Sequence, residues 1–387
     1  MQFARRTNWP QDDNPIIKAF QKAKKECPSL INLTESNPTR CNFQYPEELL
    51  QALNNPANLA YHPDAQGMRS AREIIAGYYQ RQQKDVKPEQ IILTSSTSEA
   101  YSYIFRVLAD PHDEILFPCP SYPLFQFLVD LNDVVMIPYS LAYKEEGWFL
   151  DGTQFENIVS TKSKAVVLVN PNNPTGSYFR EQEISQFNKA CLDYNMALIC
   201  DEVFFDFPLQ ECSRKSMVSN SEVLTFTLNG LSKMMGLPQM KLSWIVISGP
   251  DDLVRQAKAR LEVIADTYLS VNTLVQNALQ AWFDLKDGVQ AQIKQRVSDN
   301  YLFLQETFKD HGAVELLKAD GGWYAVLRLS SRYQEEEWVL KLLKDHQVFV
   351  HPGFFFDFDV EPCVIISLLP EISNMNEGIR RILPSLT

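Results

Sequence analysis

The sequence predicts an α/β protein with a large, mainly parallel sheet flanked by helices and a smaller α+β domain. Short apolar runs alternate with longer helical patterns as far as about residue 306, which is typical of strands joined by crossover helices. Several of these runs are apolar throughout, as expected for strands covered on both faces. A length of 387 residues also exceeds one small core and suits two domains.

Seven apolar runs predict the strands of the large sheet, which we expect to be seven-stranded. They are IILT (91–94), EILFP (114–118), VVMIP (134–138), AVVLVN (165–170), ALIC (197–200), VLTFTL (223–228) and LSWIVIS (242–248). The helical patterns between them include SAREIIAGYYQRQ (70–82), EQEISQFNKACLDY (181–194) and DLVRQAKARLEVI (252–264).

The pattern changes in the last quarter of the chain. Three further strand-like runs surround the helical run EEEWVLKLLKDH (335–346), namely GGWYAVLRL (321–329), VFVHPG (348–353) and PCVIISLL (362–369). INLTESNPT, near the N-terminus, is typical of an extended edge segment. We therefore expect an N-terminal segment (1–45) that packs with the small domain, a large domain (46–290) and a small C-terminal domain (291–387).

Composition argues against several classes of partner. The net charge of -12 disfavours nucleic acid or an anionic membrane as the main partner. The first thirty residues lack the apolar core of a signal peptide, and runs such as AVVLV and WIVI are too short to cross a bilayer. Seven cysteines without a CxxC pair and five dispersed histidines favour reduced thiols, a cytoplasmic location and no metal site.

Three segments carry residue types suited to chemistry: VNPNNPTG (169–176), LICDEVFF (198–205) and NGLSKMMGLPQMK (229–241). Lys233 follows a predicted strand, and the ends of strands in open α/β sheets are where ligands bind. A desolvated lysine amine forms imines with aldehydes. Asp201 ends another strand, where an aspartate can also serve as a helix cap or turn residue. Asn173 lies in NNPTG, which by chemistry alone is a good turn.

In this order, with 28 residues from Asn173 to Asp201 and 32 from there to Lys233, the segments resemble the class I/II aminotransferases. These are fold type I pyridoxal-phosphate enzymes, and the resemblance runs from about residue 31 to residue 367. It implies that Lys233 holds pyridoxal 5′-phosphate as a Schiff base and later shuttles a proton. It also implies that Asp201 pairs with the pyridinium nitrogen and that Asn173 hydrogen-bonds to the phenolic oxygen.

The resemblance extends to the rest of the cofactor site. Tyr122, in PCPSYPLF, matches the aromatic residue that stacks on the cofactor ring, although it could equally be a packing residue. Ser96, Thr97 and Ser98 open a helix after a strand, so they suit the phosphate or serve as ordinary N-caps. Tyr61 resembles a tyrosine that reaches the phosphate of the neighbouring subunit, which implies a homodimer with shared active sites.

Three departures from the family pattern concern the cofactor. Lys241 stands where an arginine is usual, which keeps the charge but loses the bidentate geometry. Gly230 stands where a phosphate-contacting serine is common, although Ser232 lies beside the lysine. Phe204 replaces a tyrosine, which removes a hydrogen bond to the phenolic oxygen and should leave the pKa of the Schiff base higher.

The fourth departure concerns the substrate. In CVIISLLP (363–370), Ile365 stands where the family places the arginine that clamps the substrate carboxylate. A buried carboxylate without a partner is costly, so another cation must serve or the substrate must differ. Arg40, in ESNPTR, is a candidate for this role with Ser36 beside it in the same loop, and a surface arginine is the alternative.

The sequence therefore predicts an enzyme that moves an amino group between an amino compound and a keto acid. The alternative is β- or γ-elimination by the same cofactor on the same fold, because the carboxylate-binding arginine is missing. A non-catalytic sensor is disfavoured, since no added DNA-binding segment is visible. A dinucleotide-binding oxidoreductase is disfavoured as well, because no GxGxxG follows a strand.

Overall fold

The computed structural model describes residues 1–10, 14–144, 147–269, 271–358 and 362–386. In this part of the chain the strands are β1 (Ile31–Asn32), β2 (Ile91–Thr94), β3 (Glu114–Cys119), β4 (Val135–Lys144), β5 (Gly147–Leu150), β6 (Ser163–Val169), β7 (Ala197–Asp201), β8 (Thr225–Gly230), β9 (Ser243–Ser248), β10 (Val314–Leu317), β11 (Tyr324–Leu329), β12 (Val348–Phe349), β13 (His351–Pro352) and β14 (Cys363–Ser367).

The α-helices of the described residues range from one turn to ten. They are α1 (Pro15–Glu26), α2 (Glu48–Gln51), α3 (Arg69–Arg81), α4 (Thr97–Leu108), α5 (Phe125–Leu131), α6 (Gly152–Ile158), α7 (Glu181–Tyr194), α8 (Leu231–Met234), α9 (Asp251–Tyr268), α10 (Thr273–Phe308), α11 (Glu335–His346) and α12 (Ile372–Ile382). None of these helices is both long and apolar enough to cross a bilayer.

The large sheet has the strand order β2-β9-β8-β7-β6-β3-β4-β5. Strands β8, β7, β6, β3 and β4 are mutually parallel, whereas β9 runs antiparallel to both of its neighbours. All seven predicted strands lie in this sheet, so the α/β class and its mainly parallel character are confirmed. The sheet has one strand more than predicted, because β5 folds back antiparallel on the end of β4.

The smaller sheet is antiparallel, with the order β10-β11-β14-β13. Next to it, β1 pairs in parallel with β12, so that Ile31 lies opposite Val348. Ile16 of α1 and Leu33 are buried in the same apolar cluster as the inner face of this sheet. The N-terminal segment is therefore in direct contact with the C-terminal elements.

Helix α10 connects the two sheets. Its first half buries Leu279 and Trp282 with α3, and its second half buries Val297 and Leu304 beneath the smaller sheet. The side chain of Asn272 caps its start by accepting a hydrogen bond from the backbone N–H of Val275 (3.1 Å). The domain boundary predicted at residue 290 falls inside this continuous helix, and the domain limits remain predictions.

Candidate active site

One edge of the large sheet collects most of the residues singled out from the sequence. Parallel strands end at the same edge of a sheet, and β2, β3, β6, β7 and β8 all point the same way. The loops that leave this edge carry Ser96, Tyr122 and Asn173, Thr97 and Ser98 begin α4, and Asp201 is the last residue of β7. Ser232 and Lys233 follow β8 in the short helix α8, and Lys241 precedes β9.

Lys233 lies beside two aromatic side chains. Its Nζ lies 5.1 Å from the centroid of the Trp323 ring and 5.4 Å from that of Phe204. The residue is only partly exposed, and burial lowers the pKa of its amine to about 8, opposed by the negative charge of Asp201. The amine is therefore neutral far more often at physiological pH than an ordinary lysine, as a nucleophile requires.

Asp201 is a buried carboxylate with few partners. Its Oδ2 accepts a hydrogen bond from the Tyr101 hydroxyl and its Oδ1 accepts one from the backbone N–H of Val203, both at 3.1 Å. Burial raises its pKa to about 6, although the two hydrogen bonds and the charge of Lys233 act in the opposite direction. A protonated ring nitrogen placed against this carboxylate would stabilise its charged form.

Asn173 presents an unused polar group near the same edge. The side chain is buried, and no described residue forms a hydrogen bond with its Oδ1. The adjacent Asn172 instead holds the loop together, accepting a hydrogen bond from the Thr175 hydroxyl (2.9 Å) and donating one to the carbonyl of Pro120 (3.3 Å). An unpaired buried amide oxygen beside a fully bonded one is consistent with a ligand-facing role for Asn173.

The start of α4 forms a second polar region. The Ser96 hydroxyl accepts a hydrogen bond from the backbone N–H of Glu99 (3.1 Å), so Ser96 is the N-cap of this helix. Thr97 and Ser98 occupy the first turn and are partly exposed. The free backbone N–H groups and the helix dipole make this position favourable for an anion.

A row of short side chains crosses the sheet at this edge. Thr94 of β2 lies opposite Ser243 of β9, which in turn lies opposite Gly230 of β8. A Cβ on Gly230 would come within 2.2 Å of Ser243 Oγ. The Ser243 hydroxyl therefore occupies the space that a side chain at position 230 would need.

The other residues predicted to bind the cofactor differ in their exposure and surroundings. Lys241 is exposed and adopts a left-handed backbone conformation (φ 52°) immediately before β9, and Ser232 is partly exposed next to Lys233. Tyr122 lies near Tyr324 and Asp201, and burial raises the pKa of its hydroxyl to about 12. Tyr61 is 70% exposed and lies outside these contacts.

The predicted substrate residues lie on the side of the smaller sheet. Ser36 lies close to the phenol of Tyr324, whose ring lies 6.3 Å from that of Phe204. The Arg40 side chain is 67% exposed, with its guanidinium 4.0 Å from the Glu35 carboxylate. Ile365 is completely buried in β14 within an apolar cluster, so it offers a substrate neither charge nor a hydrogen bond.

Three residues of this region were missed in the sequence: Tyr101, Trp323 and Ser243. Tyr101 lies one turn after Thr97 on α4, so the helical period could have indicated that it faces the sheet edge. Trp323 directly precedes β11 of the smaller sheet, and Ser243 lies opposite Gly230 on the neighbouring strand. Only the tertiary structure shows these last two contacts.

No group of His, Cys, Asp and Glu side chains in the described ranges is arranged to hold a metal ion. None of the seven cysteines, all of which lie in those ranges, forms a disulfide.

Comparison with solved structures defines the class of fold. The alanine aminotransferase of Pyrococcus furiosus superposes with a TM-score of 0.89 at 22% identity, covering 100% of this chain and 99% of that one. The aspartate aminotransferase of Thermotoga maritima superposes with a TM-score of 0.84 at 23% identity, covering 99% and 100%. The fold is that of the fold type I aminotransferases.

A family model for aminotransferase class I and II matches residues 28–382, and the chain belongs to this family. The glutamate-pyruvate aminotransferase AlaA of Escherichia coli K12 is 25% identical over 370 residues, which are 93% of this chain and 91% of the relative. The alanine aminotransferase of Mycobacterium tuberculosis H37Rv is 23% identical over 380 residues, or 95% and 88%. The protein is accordingly a pyridoxal-phosphate-dependent aminotransferase.

Proposed function

We propose that Lys233 is the residue that binds pyridoxal phosphate covalently and carries the proton during transamination. When bound, the cofactor supplies an aldehyde and a ring that withdraws electrons from the Cα of the amino substrate. The observation that supports this role is the lysine amine with its lowered pKa beside the buried carboxylate of Asp201. Once released from the cofactor, the same amine can accept the Cα proton and return it to a neighbouring carbon.

The polar groups around Lys233 fit the remaining parts of the cofactor. Asp201 would hold the proton on the ring nitrogen, since no lysine or arginine among the described residues forms a hydrogen bond with its carboxylate. Asn173 would bind the phenolic oxygen through its amide. Phe204 packs against Trp323 and provides no hydroxyl for that oxygen, while Tyr122 would cover the face of the ring.

The phosphate would lie at the start of α4. Ser96, Thr97 and Ser98 supply backbone N–H groups and hydroxyls there, and Ser232 and Lys241 approach from the β8–β9 connection. We add Ser243 to this set, because its hydroxyl lies between Thr94 and Gly230 at the same edge. It would take over the hydrogen bond that Gly230 cannot supply.

We also propose a homodimer and a cytoplasmic location. Tyr61 is exposed in the single chain and lines a surface pocket with Leu269. A homodimer in which Tyr61 completes the neighbour's phosphate site would give this tyrosine a role and cover its ring. We place the enzyme in the cytoplasm, where its seven cysteines would remain reduced.

The reaction we propose is amino transfer between an amino acid and a 2-keto acid. Ser36 and Arg40 are the candidates for the substrate carboxylate, since Ile365 offers it nothing. Two relatives carry the names of alanine and glutamate-pyruvate aminotransferases, which supports small amino and keto acids as the first substrates to test. Keto-acid formation that requires an added keto acceptor would distinguish transamination from elimination, which would proceed without one.

The covalent assignment is tested by borohydride reduction of the holoenzyme followed by peptide mapping. The label should be on Lys233, and Lys233→Ala should lose both the label and the activity. Lys84→Ala is the matched control, because Lys84 is also a partly buried lysine beside an aromatic ring (4.6 Å from the Phe205 centroid). Label on a lysine other than Lys233 in the wild-type protein would refute the assignment.

A further inference from the structure

Trp323 is a completely buried tryptophan whose indole N–H has no hydrogen-bond acceptor among the described residues. An indole N–H that leaves water without finding an acceptor destabilises the folded state, so buried tryptophans normally have a partner. Four of the other five tryptophans each donate a hydrogen bond of 2.7–3.1 Å, namely Trp9, Trp244, Trp282 and Trp338. The N–H of Trp323 is therefore a donor that a ligand can complete.

The ring of Trp323 is fixed beside the amine of Lys233. Phe204 and Phe207, which both follow β7, pack edge-on against it with ring centroids at 5.2 and 5.1 Å. The backbone N–H of Leu368 donates to the Trp323 carbonyl (2.8 Å). The Lys233 Nζ lies over the ring, 5.1 Å from its centroid. Because the indole N–H lies at the ring edge and in the plane of the ring, it points past the amine and not at it.

The turn before Trp323 is joined to the loop that carries Asn173. The backbone N–H of Gly321 donates to the carbonyl of Gly176 in that loop (2.9 Å). A Cβ on Gly176 would lie 2.4 Å from the Gly321 carbonyl oxygen, so only a glycine permits this approach. Trp323 is thus in contact with Phe204 and tied to the Asn173 loop, the two places that the proposed function assigns to the surroundings of the phenolic oxygen.

We propose that the Trp323 indole N–H donates a hydrogen bond to the phenolic oxygen of pyridoxal phosphate, and so takes over the contact that Phe204 cannot make. The proposal rests on the proposed function of Lys233. In the cofactor, the phenolic oxygen is attached to the ring carbon next to the one that bears the aldehyde, so it lies beside the nitrogen that joins the cofactor to the lysine. This oxygen is anionic, and hydrogen bonds to charged acceptors are stronger than those between neutral groups.

Such a hydrogen bond changes the titration of the Schiff base. In the protonated Schiff base, its own N–H offsets the charge of the phenolic oxygen, whereas after deprotonation the oxygen depends on donors from the protein. A protein donor therefore favours the deprotonated form and lowers the pKa of the Schiff base. The neighbouring titratable groups Asp201, Tyr122 and Tyr324 are unchanged in the variants below, so a comparison among these variants isolates the indole N–H.

The test measures the pKa of the Schiff base by absorbance titration of the substrate-free holoenzyme, together with the dissociation constant of the cofactor. Trp323→Phe should raise this pKa by about one unit and weaken cofactor binding about three- to tenfold. Adding Phe204→Tyr to that variant should lower the pKa again, because the tyrosine hydroxyl supplies a donor in the space that the smaller ring leaves.

Trp148→Phe is the matched control. Trp148 is another buried indole whose N–H has no acceptor among the described residues, but it belongs to β5 and packs on Tyr143, with ring centroids at 5.1 Å. Its replacement should leave both the pKa of the Schiff base and the cofactor affinity unchanged.

A second probe avoids the cavity that Trp323→Phe leaves in a packed cluster of rings. 3-Benzothienylalanine has the shape of tryptophan with sulfur in place of the N–H, and its site-specific incorporation at position 323 should raise the pKa of the Schiff base as Trp323→Phe does. An unchanged pKa in this protein would overturn the proposal and show that the indole only packs. A borohydride label on a lysine other than Lys233 would instead refute the proposed function itself.

Discussion

The hydroxyl of Ser243 fills the space beside Gly230 that a side chain at that position would occupy, since a Cβ there would lie 2.2 Å from Ser243 Oγ. Both residues end or begin a strand of the large sheet and lie directly opposite each other. One hydroxyl therefore fits at this point of the sheet edge, and β9 supplies it instead of β8.

This packing predicts the result of exchanging the two residues. Gly230→Ser alone should impair folding, because its side chain meets Ser243, whereas Gly230→Ser combined with Ser243→Gly should restore it. Ser243→Gly alone should weaken pyridoxal phosphate binding about tenfold or more, since a hydrogen bond to a charged group contributes about 1.5–3 kcal/mol. Cofactor titration by absorbance and thermal melting of the apoprotein measure the two effects. A Ser243→Gly enzyme with wild-type cofactor affinity would contradict the phosphate contact.

A second prediction concerns the cost of burying Asp201. The pKa of this carboxyl rises from 3.8 to about 6 on folding, so the folded state holds the proton more tightly than the unfolded state. Stability therefore falls as the pH rises from about 4 through 6, by up to about 3 kcal/mol. Asp201→Asn removes this penalty, and the variant apoprotein should be more stable than wild type above pH 6, by on the order of 1–3 kcal/mol.

The measurement is the difference in Tm between the Asp201→Asn and wild-type apoproteins, followed from pH 5 to pH 8. The difference should grow up to about pH 7 and then level off. Asp252→Asn, at an exposed carboxylate on α9, serves as the control and should show no such growth. Cofactor affinity should change the opposite way, because the asparagine cannot stabilise a protonated ring nitrogen. A Tm difference independent of pH would show that burial of the Asp201 carboxylate does not destabilise the folded protein.

Regular elements with clear end signals could be predicted from the sequence. EQEISQFNKACLDY matches α7 residue for residue, because the Glu183 side chain caps its start by accepting from the backbone N–H of Arg180 (2.7 Å) and Asn195 ends it in a left-handed conformation. EEEWVLKLLKDH likewise matches α11. In contrast, β5 has four residues and exists only by pairing with β4, so no pattern of its own indicates it.

The candidate site was predictable only where its residues are local to a strand end. Lys233, Asp201 and Asn173 each follow or end a strand, and the shared edge of a parallel sheet brings such positions together. Trp323, whose ring centroid lies 5.1 Å from the Lys233 amine, directly precedes β11 of the smaller sheet and is about 90 residues further along the chain. Such a contact depends on how the sheets pack, which periodicity and turn signals do not encode.

A third prediction concerns assembly. Tyr61 and Leu269 are 70% and 65% exposed on one surface of the single chain. If the neighbouring subunit covers this surface, the enzyme should sediment as a dimer at low micromolar concentration. Tyr61→Phe should weaken cofactor binding but leave the dimer intact. Tyr194→Phe, at a 42% exposed tyrosine on α7, is the control for loss of a surface hydroxyl. A fully active monomer would show that the active site is not shared between two subunits.

The last prediction concerns the substrate carboxylate, for which Ile365 provides no partner. Arg40 follows the loop that holds Ser36 beside Tyr324, and its guanidinium is only loosely paired with Glu35, at 4.0 Å. It can therefore turn towards a substrate at little cost. A charge-assisted carboxylate contact contributes about 1.5–3 kcal/mol, so Arg40→Ala should lower kcat/KM for an amino acid at least about tenfold.

Cofactor affinity should barely change in Arg40→Ala, because the phosphate and ring contacts lie at the edge of the large sheet. Arg255→Ala is the matched control: its side chain is 73% exposed and paired with Asp252, but it belongs to α9, outside the proposed contacts. A primary amine without the carboxylate should react equally with wild type and Arg40→Ala, which separates recognition of the carboxylate from a general effect on the site. Wild-type kcat/KM of Arg40→Ala for its best amino acid would show that Arg40 is only a surface residue, with the carboxylate held by another cation or by backbone donors, or absent from the true substrate.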